Sequence, residues 1–246
     1  FGNMLKFNMN DGFPIITTKK VNYKKIVGEL LYFVSGSRDI KDLHKHGVHI
    51  WDANYNDPKW LNNPNRKFDG DLGAIYGVLW RNWETSYKIV DQLQNVVEQI
   101  KTNPNSRRMV VTAWNPSVFD SQCLPCCHIL FQFQVSKNGL SLAFYQRSCD
   151  YYLGSVYNIS SYATLLYMVA KLTGYKPYEL TYFLADTHCY TSHLEQTKLQ
   201  LTRTPYQLPK LIIKDRQQKT IDDFVLDDFL LDDYKSWPAI KAEMAV

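Results

Sequence analysis

Apolar residues recur with a helical period in three stretches of the chain. Tyr23–Val34 carries Ile26, Val27, Leu30, Leu31 and Val34, which fall on one face of a helix. Val90–Lys101 carries Val90, Leu93, Val96, Val97 and Ile100, and stops before Asn103-Pro104. Ile159–Leu172 is apolar on most faces, the pattern of a helix buried inside a domain. Strand patterns lie between them. Arg108–Trp114 is short and β-branched, and His128–Val135 alternates Ile129, Phe131, Phe133 and Val135. Leu140–Tyr145 follows across Ser136-Lys137-Asn138-Gly139, where Asn-Gly between alternating runs predicts a hairpin. Asn54–Gly70, rich in Asn, Asp and Pro, reads as a surface excursion. Helices and strands outside strict βαβ alternation predict an α+β fold. No repeat, low-complexity tract or linker divides the chain, so residues 1–246 are expected to form a single domain.

Composition supports one substantial core and narrows the partners. Of 246 residues, 45% are hydrophobic and 14% aromatic. Lys plus Arg number 28 against 24 acidic residues, a net charge of only +4. That surplus does not predict DNA binding, but it allows a local pocket for a phosphate. No apolar run of about 18 residues appears, so no membrane span is expected. The chain begins Phe1-Gly2-Asn3 without Met or a signal peptide, and the numbering is expected to start inside a longer protein. Five cysteines, three of them crowded at Cys123, Cys126 and Cys127, favour a reducing, intracellular compartment over a disulfide scaffold. No Gly-x-Gly-x-x-Gly follows a strand, which leaves a Rossmann cofactor site unsupported.

Five constellations could carry chemistry. Cys123-Leu-Pro-Cys126-Cys127-His128 allows three readings. Metal binding lacks a second ligand pair beyond the scattered Cys149, His188, Cys189 and His193, and no metal is expected. Free cysteines also serve as small buried hydrophobes. A nucleophilic thiol would need cations to lower its pKa, for which Arg107, Arg108 and Arg147 are candidates. Gln146-Arg147-Ser148 after an aromatic strand suits either a phosphate clamp or a strand-end ion pair. Arg107 and Arg108, adjacent at the start of a strand, would point to opposite faces. Asn158, before an apolar helix, is either a cap or an amide that reads a base edge. His188 and Tyr190, two apart, would share one face of a strand and could both reach a hydroxyl; two half-buried rings are the plainer alternative.

The order of these signals resembles the thymidylate synthase family over nearly the whole chain. The resemblance runs through NMNDGFPIITTKK, GELLYFVSGS, HIWDAN, GDLGAIYGVLWR, NSRRMVVTAWNP, LPCCH, FYQRSCDYYLG, YNISSYATLLYMVA, DTHCYTSHLEQ and WPAIKAEMAV. It implies a mixed, mainly antiparallel sheet flanked by helices, with sheets packing in a homodimer. It implies transfer of one carbon from methylenetetrahydrofolate to C5 of dUMP, in the cytoplasm or a host's cytoplasm. Cys127 would add to C6 of uracil. Arg147 and Ser148, with Gln146 beside them, would hold the 5′-phosphate, joined by Arg107 and Arg108 from the partner subunit. Asn158 would read uracil O4 and N3–H, and His188 and Tyr190 the deoxyribose hydroxyl. Glu29, with Tyr76 and His128, would handle proton transfers. Trp51, Leu124, Asp150, Gly154 and the tail Met244-Ala245-Val246 would form the folate side.

The chain departs from the family pattern at several places. Cys126 stands where Pro is usual, and a disulfide between it and Cys127 would be strained. Leu79 replaces Gln, Ser155-Val156-Tyr157 replaces Leu/Val-Pro-Phe, and Ala185 replaces Gly. The family's phosphate-binding arginine loop, which precedes Phe-Gly, is absent from the numbered residues. Two final steps therefore stand open. Reductive methylation to dTMP is favoured by retention of Trp51, Leu124 and the apolar tail; hydroxymethylation, by addition of water, is favoured by the altered cleft. Asn158, where a cytidylate-specific relative would have Asp, argues for uracil.

Overall fold

The computed structural model describes residues 1–243. A strand β1 (Asn3–Asn8) precedes helix α1 (Tyr23–Ser35) and four shorter helices, α2 (Ile40–His44), α3 (Asp52–Tyr55), α4 (Pro58–Leu61) and α5 (Tyr76–Arg81). A short ribbon, β2 (Trp83–Glu84) and β3 (Ile89–Val90), leads into α6 (Gln92–Thr102) and β4 (Val110–Thr112). Then come β5 (His128–Ser136), β6 (Gly139–Asp150), the long helix α7 (Gly154–Thr173) and β7 (Pro177–His188). Helix α8 (Leu194–Leu201) and a second ribbon, β8 (Lys210–Ile213) with β9 (Phe229–Asp232), close the described chain.

The five-stranded sheet has the order β1-β7-β6-β5-β4. Only the β6–β7 pairing is parallel. The expected α+β architecture, with a mixed and mainly antiparallel sheet flanked by helices, is the one observed. Strand alternation sends Phe131, Phe133, Leu142, Phe144, Leu180 and Tyr182 to the inner face, where all are buried. Helix α7 packs on that face against β6 and β7, and α1 packs on α7. Aromatic rings tie the layers together. Phe144 stacks on Tyr162 of α7 at 4.0 Å and on Tyr182 at 4.2 Å, while Trp80 of α5 meets Phe131 edge-on at 5.1 Å. The outer face leaves Met4, Val110, Leu130 and Phe183 exposed.

Local capping explains where the helices differ from the periodicity. Helix α6 starts at Gln92 because the Asp91 side chain accepts from Gln94 N at 2.9 Å; Val90 is left to the ribbon. Helix α7 begins five residues before Ile159, so Asn158 lies inside it and does not cap it. The turn ahead of α7 is held by Asp150, whose Oδ1 accepts from Tyr152 N and Leu153 N at 3.1 Å each. Strand β4 spans less than Arg108–Trp114 and excludes both arginines. In the β5–β6 hairpin the central positions are Lys137 and Asn138, and Gly139 already pairs with Ser136. Gly139 adopts φ 134°, and a Cβ there would come 2.3 Å from Lys176 O. The polar excursion is anchored by Trp60, which is buried and donates Nε1 to Asp71 O at 2.7 Å.

One close approach positions the cleft. Helix α5 presses on α1 at Gly77, where a Cβ would meet Phe33 O at 2.5 Å and Phe33 Cα at 2.9 Å. Its φ is not in the left-handed region, so the constraint is purely one of space. Gly77→Ala is expected to lose about 1–3 kcal/mol of stability by overpacking, although Ala is the better helix former by about 1 kcal/mol. Urea unfolding should show a lower midpoint at unchanged slope; an unchanged or raised midpoint would contradict the close approach.

Candidate active site

The thiol of Cys127 sits where the chain enters β5, half-buried, beside the half-buried His128 ring. Two contacts fix that backbone. Tyr76 of α5 accepts from Cys127 N at 2.8 Å, and its ring stacks on His128 at 4.8 Å. From β6, Arg147 donates Nε to Cys126 O at 2.9 Å and Nη2 to Pro125 O at 2.8 Å, while Arg147 N reaches Cys127 O at 2.9 Å. The guanidinium lies 5.4 Å from the Trp114 ring centre, a flanking group that a lone tryptophan between two segments did not advertise. Burial pushes the Cys127 thiol up, and Arg147 and the Tyr76 hydroxyl only partly oppose this. The lowered resting pKa expected of a nucleophile is therefore not what this chain holds by itself. Desolvation outweighs one guanidinium already committed to two carbonyls, and Arg107 and Arg108 do not gather at the thiol.

Titratable groups with shifted pKa values lie behind the thiol. Trp51 donates Nε1 to Glu29 Oε1 at 2.7 Å, and burial raises the Glu29 carboxyl to about 7 despite that bond. Burial lowers His128 to about 3, with the Asn158 side chain pulling the other way, so the imidazole is neutral at physiological pH. Its Nδ1 is buried without a partner. Tyr76 is held neutral well above its ordinary range, chiefly by burial. Phe33 packs against both Trp51, at 6.2 Å, and Tyr76, at 4.9 Å, so α1 and α5 carry these groups as one aromatic unit.

The other expected residues divide by place. Ser148 pairs with Asp186 and Asp150 with His188 along β6 and β7, so these strand ends meet beside the start of α7. His188 closes β7, and Tyr190 lies beyond the strand, with the two rings edge-on at 5.2 Å. Asn158 sits in the second turn of α7, one turn after Gly154. Gly154 is not demanded by space in the free chain: a Cβ there would make ordinary contacts of 3.6 Å with Asp150 and 3.7 Å with Asn158. Gln146 is turned inward, donating Nε2 to Ser148 O at 2.8 Å and accepting from Tyr182 at 2.6 Å, so its amide is spent inside the protein. Leu124 is partly exposed and Trp51 is buried. Arg107 and Arg108 are exposed and, among the described residues, form no ion pair. Met244, Ala245 and Val246 lie outside the described residues.

Several departures face the core. Leu79 is buried and its carbonyl accepts from Gln92 Nε2 at 2.7 Å. Cys126 is buried, with its thiol pushed up. Ser155 is buried and donates to Tyr151 O at 2.6 Å. All five cysteines are free thiols. Lys19, which no spacing singled out, is buried, donates to Tyr152 O at 2.7 Å and is lowered to about 8 by burial. A cavity of about 640 Å³ lies against β1 and the start of α7 and includes none of Cys127, Arg147, Asn158 or Glu29. Its lining is mostly apolar, so size does not locate the chemistry here.

The sequence profile of the thymidylate synthase family matches residues 1–246, the whole chain. That family comprises methyltransferases of nucleotide biosynthesis, with methylenetetrahydrofolate as co-substrate.

Glu29 gives the site a measurable signature. Its folded value near 7 exceeds the ordinary 4.5. The carboxyl's contribution to stability is therefore fully present below about 4.5 and is lost as pH rises through about 7, a change on the order of 3 kcal/mol. Between those limits, the unfolding free energy of the parent protein should fall relative to that of Glu29→Gln. A difference that stays flat with pH would show that the carboxyl is not held neutral.

Proposed function

The chain belongs to the thymidylate synthase family, and from that premise we propose that it transfers one carbon from methylenetetrahydrofolate to C5 of dUMP and reduces it to the methyl group of dTMP. The observation that carries this reading is the placement of Cys127. It is a half-buried thiol clamped between Tyr76 and Arg147, with neutral His128 and the near-neutral Glu29 carboxyl on the same cleft floor.

In this reading, Cys127 Sγ forms a bond to C6 of the uracil ring, and the electron pair of the C5–C6 double bond moves toward C5 and O4. C5 then bonds to the carbon that the folate supplies, that carbon's bond to the folate nitrogen breaks as C5 gives up its proton, and hydride from the folate reduces the carbon to methyl, leaving dihydrofolate. Glu29 suits both ends of that exchange, because a carboxyl titrating near 7 can donate to O4 and accept again. The unpartnered Nδ1 of His128 is a place for an ordered water between these groups. Breaking the C6–S bond restores the thiol. The resting thiol stays protonated, since burial outweighs Arg147, and it becomes reactive as substrate fills the cleft.

Arg147 and Ser148 are proposed to hold the 5′-phosphate, Asn158 the uracil edge, and His188 with Tyr190 the deoxyribose hydroxyl. Trp51, Leu124, Asp150 and Gly154 face the folate. Trp51 and the partly exposed Leu124 offer the apolar surface that a pteridine ring requires. We place two chains back to back through the outer sheet face, whose exposed Met4, Val110, Leu130 and Phe183 favour burial. Arg107 and Arg108, exposed at the edge of that face, would then reach the partner's phosphate site. A reducing cytoplasm, the cell's own or a host's, suits a reaction that depends on a free thiol.

Hydroxymethylation of dUMP is the second reading, and one observation favours it. Tyr157 brings a phenol within electrostatic reach of Glu29, a polar group where the family pattern has Phe. Incubation with dUMP and methylenetetrahydrofolate distinguishes them. The first reading expects dTMP with dihydrofolate, the second 5-hydroxymethyl-dUMP with tetrahydrofolate, and neither product would sink both. Cys127→Ser should lower turnover by more than about three orders of magnitude. Asn158→Asp should shift preference toward dCMP, because a protonated carboxyl can donate to cytosine N3. Unchanged uracil selectivity in that variant would remove Asn158 from the base-reading role.

A further inference from the structure

Outside the cleft, one cluster has the donor set of a metal site. His44 ends α2, Asp52 opens α3, and His49 lies in the loop between them. The loop doubles back at Gly47, whose φ of 67° is left-handed, with Gly47 N donating to His44 O at 2.8 Å and Asp52 N to His49 O at 3.2 Å. That reversal places the two imidazoles 4.5 Å apart at 31°, both facing one carboxylate. His44 Nε2 is 2.7 Å from Asp52 Oδ1, and His49 Nδ1 is 3.1 Å from Asp52 Oδ2. The three ligand atoms all lie within 4.8 Å of one another.

We propose that His44, His49 and Asp52 form a binding site for one divalent transition-metal ion of the zinc, cobalt or nickel kind. Two imidazole nitrogens and one carboxylate oxygen suit these ions better than magnesium or calcium, which require mostly oxygen donors. Each imidazole facing the carboxylate with a ring N–H can move that single proton to its other nitrogen, freeing a lone pair where the hydrogen bond now points. The side chains are 35%, 59% and 39% exposed for His44, His49 and Asp52, so the ion has an access path and water can complete the coordination shell. Binding would tie the end of α2 to the start of α3. It would thereby fix the residue after Trp51, whose indole holds Glu29. The inference does not depend on which reaction the cleft performs.

The test uses the full chain after removal of metal by a chelator. Titration with cobalt(II) should give visible ligand-field bands that saturate at one ion per chain, without the intense sulfur-to-cobalt band that thiolate ligation would produce. Zinc should displace the cobalt. His49→Ala removes a mostly exposed side chain and leaves the core untouched, and it should weaken binding by more than about tenfold. Asp52→Asn, which keeps the shape of the carboxylate, should do the same. Absence of stoichiometric binding, full affinity in His49→Ala, or a sulfur band placing the ion on the cysteines would each overturn the site.

Discussion

The placement of Cys127 depends on the Arg147 guanidinium lying under the backbone from Pro125 to Cys127. Two charge-assisted bonds to consecutive carbonyls satisfy groups that a half-buried loop would otherwise leave unpaired. They also splice that loop to β6, so the thiol is positioned by the rigid sheet. The same cation stands as the nearest positive charge to the sulfur. Structure and reactivity thus share one side chain, and a lysine, with its single ammonium, could not make both bonds from one planar fork.

Around that clamp the dominant effect is desolvation. Aromatic rings from α1, α5, α7 and the sheet exclude water from the cleft floor. Glu29 rises, His128 falls, and the thiol and Tyr76 are kept neutral. Every group at the floor is consequently in its uncharged form near pH 7, or close to the balance point in the case of Glu29. An environment of this kind strengthens each electrostatic interaction that a bound, charged nucleotide introduces. Three departures from the family pattern, Leu79, Cys126 and Ser155, are buried. Tyr157 is the departure that adds a polar group near Glu29.

The sheet divides its faces between two tasks. Its inner face carries the aromatic core. Its outer face keeps large apolar residues exposed beside Arg107 and Arg108. The two arginines lie ahead of β4, outside the strand, so strand alternation does not set their directions. A site completed by a second copy of the chain would use both without requiring one chain to fold around itself.

Sequence alone determined what short-range physics controls. The 3.6-residue spacing of Ile26, Leu30 and Val34 made α1 legible, and the alternation of Phe131 and Phe133 made β5 legible. The ordered blocks of the chain also identified the family, because motif order needs no coordinates. Helix starts were less legible: Asp91 caps α6, and Asp150 holds the turn ahead of α7, through side-chain bonds that periodicity cannot register. What only the tertiary structure decided were quantities that depend on distant neighbours. The raised Cys127 thiol, the near-neutral Glu29 held by a tryptophan 22 residues away, and the inward turn of Gln146 all follow from burial, and burial belongs to the packed chain. His44, His49 and Asp52 met because a glycine reversed the loop between them, a convergence that spacing along the chain does not reveal.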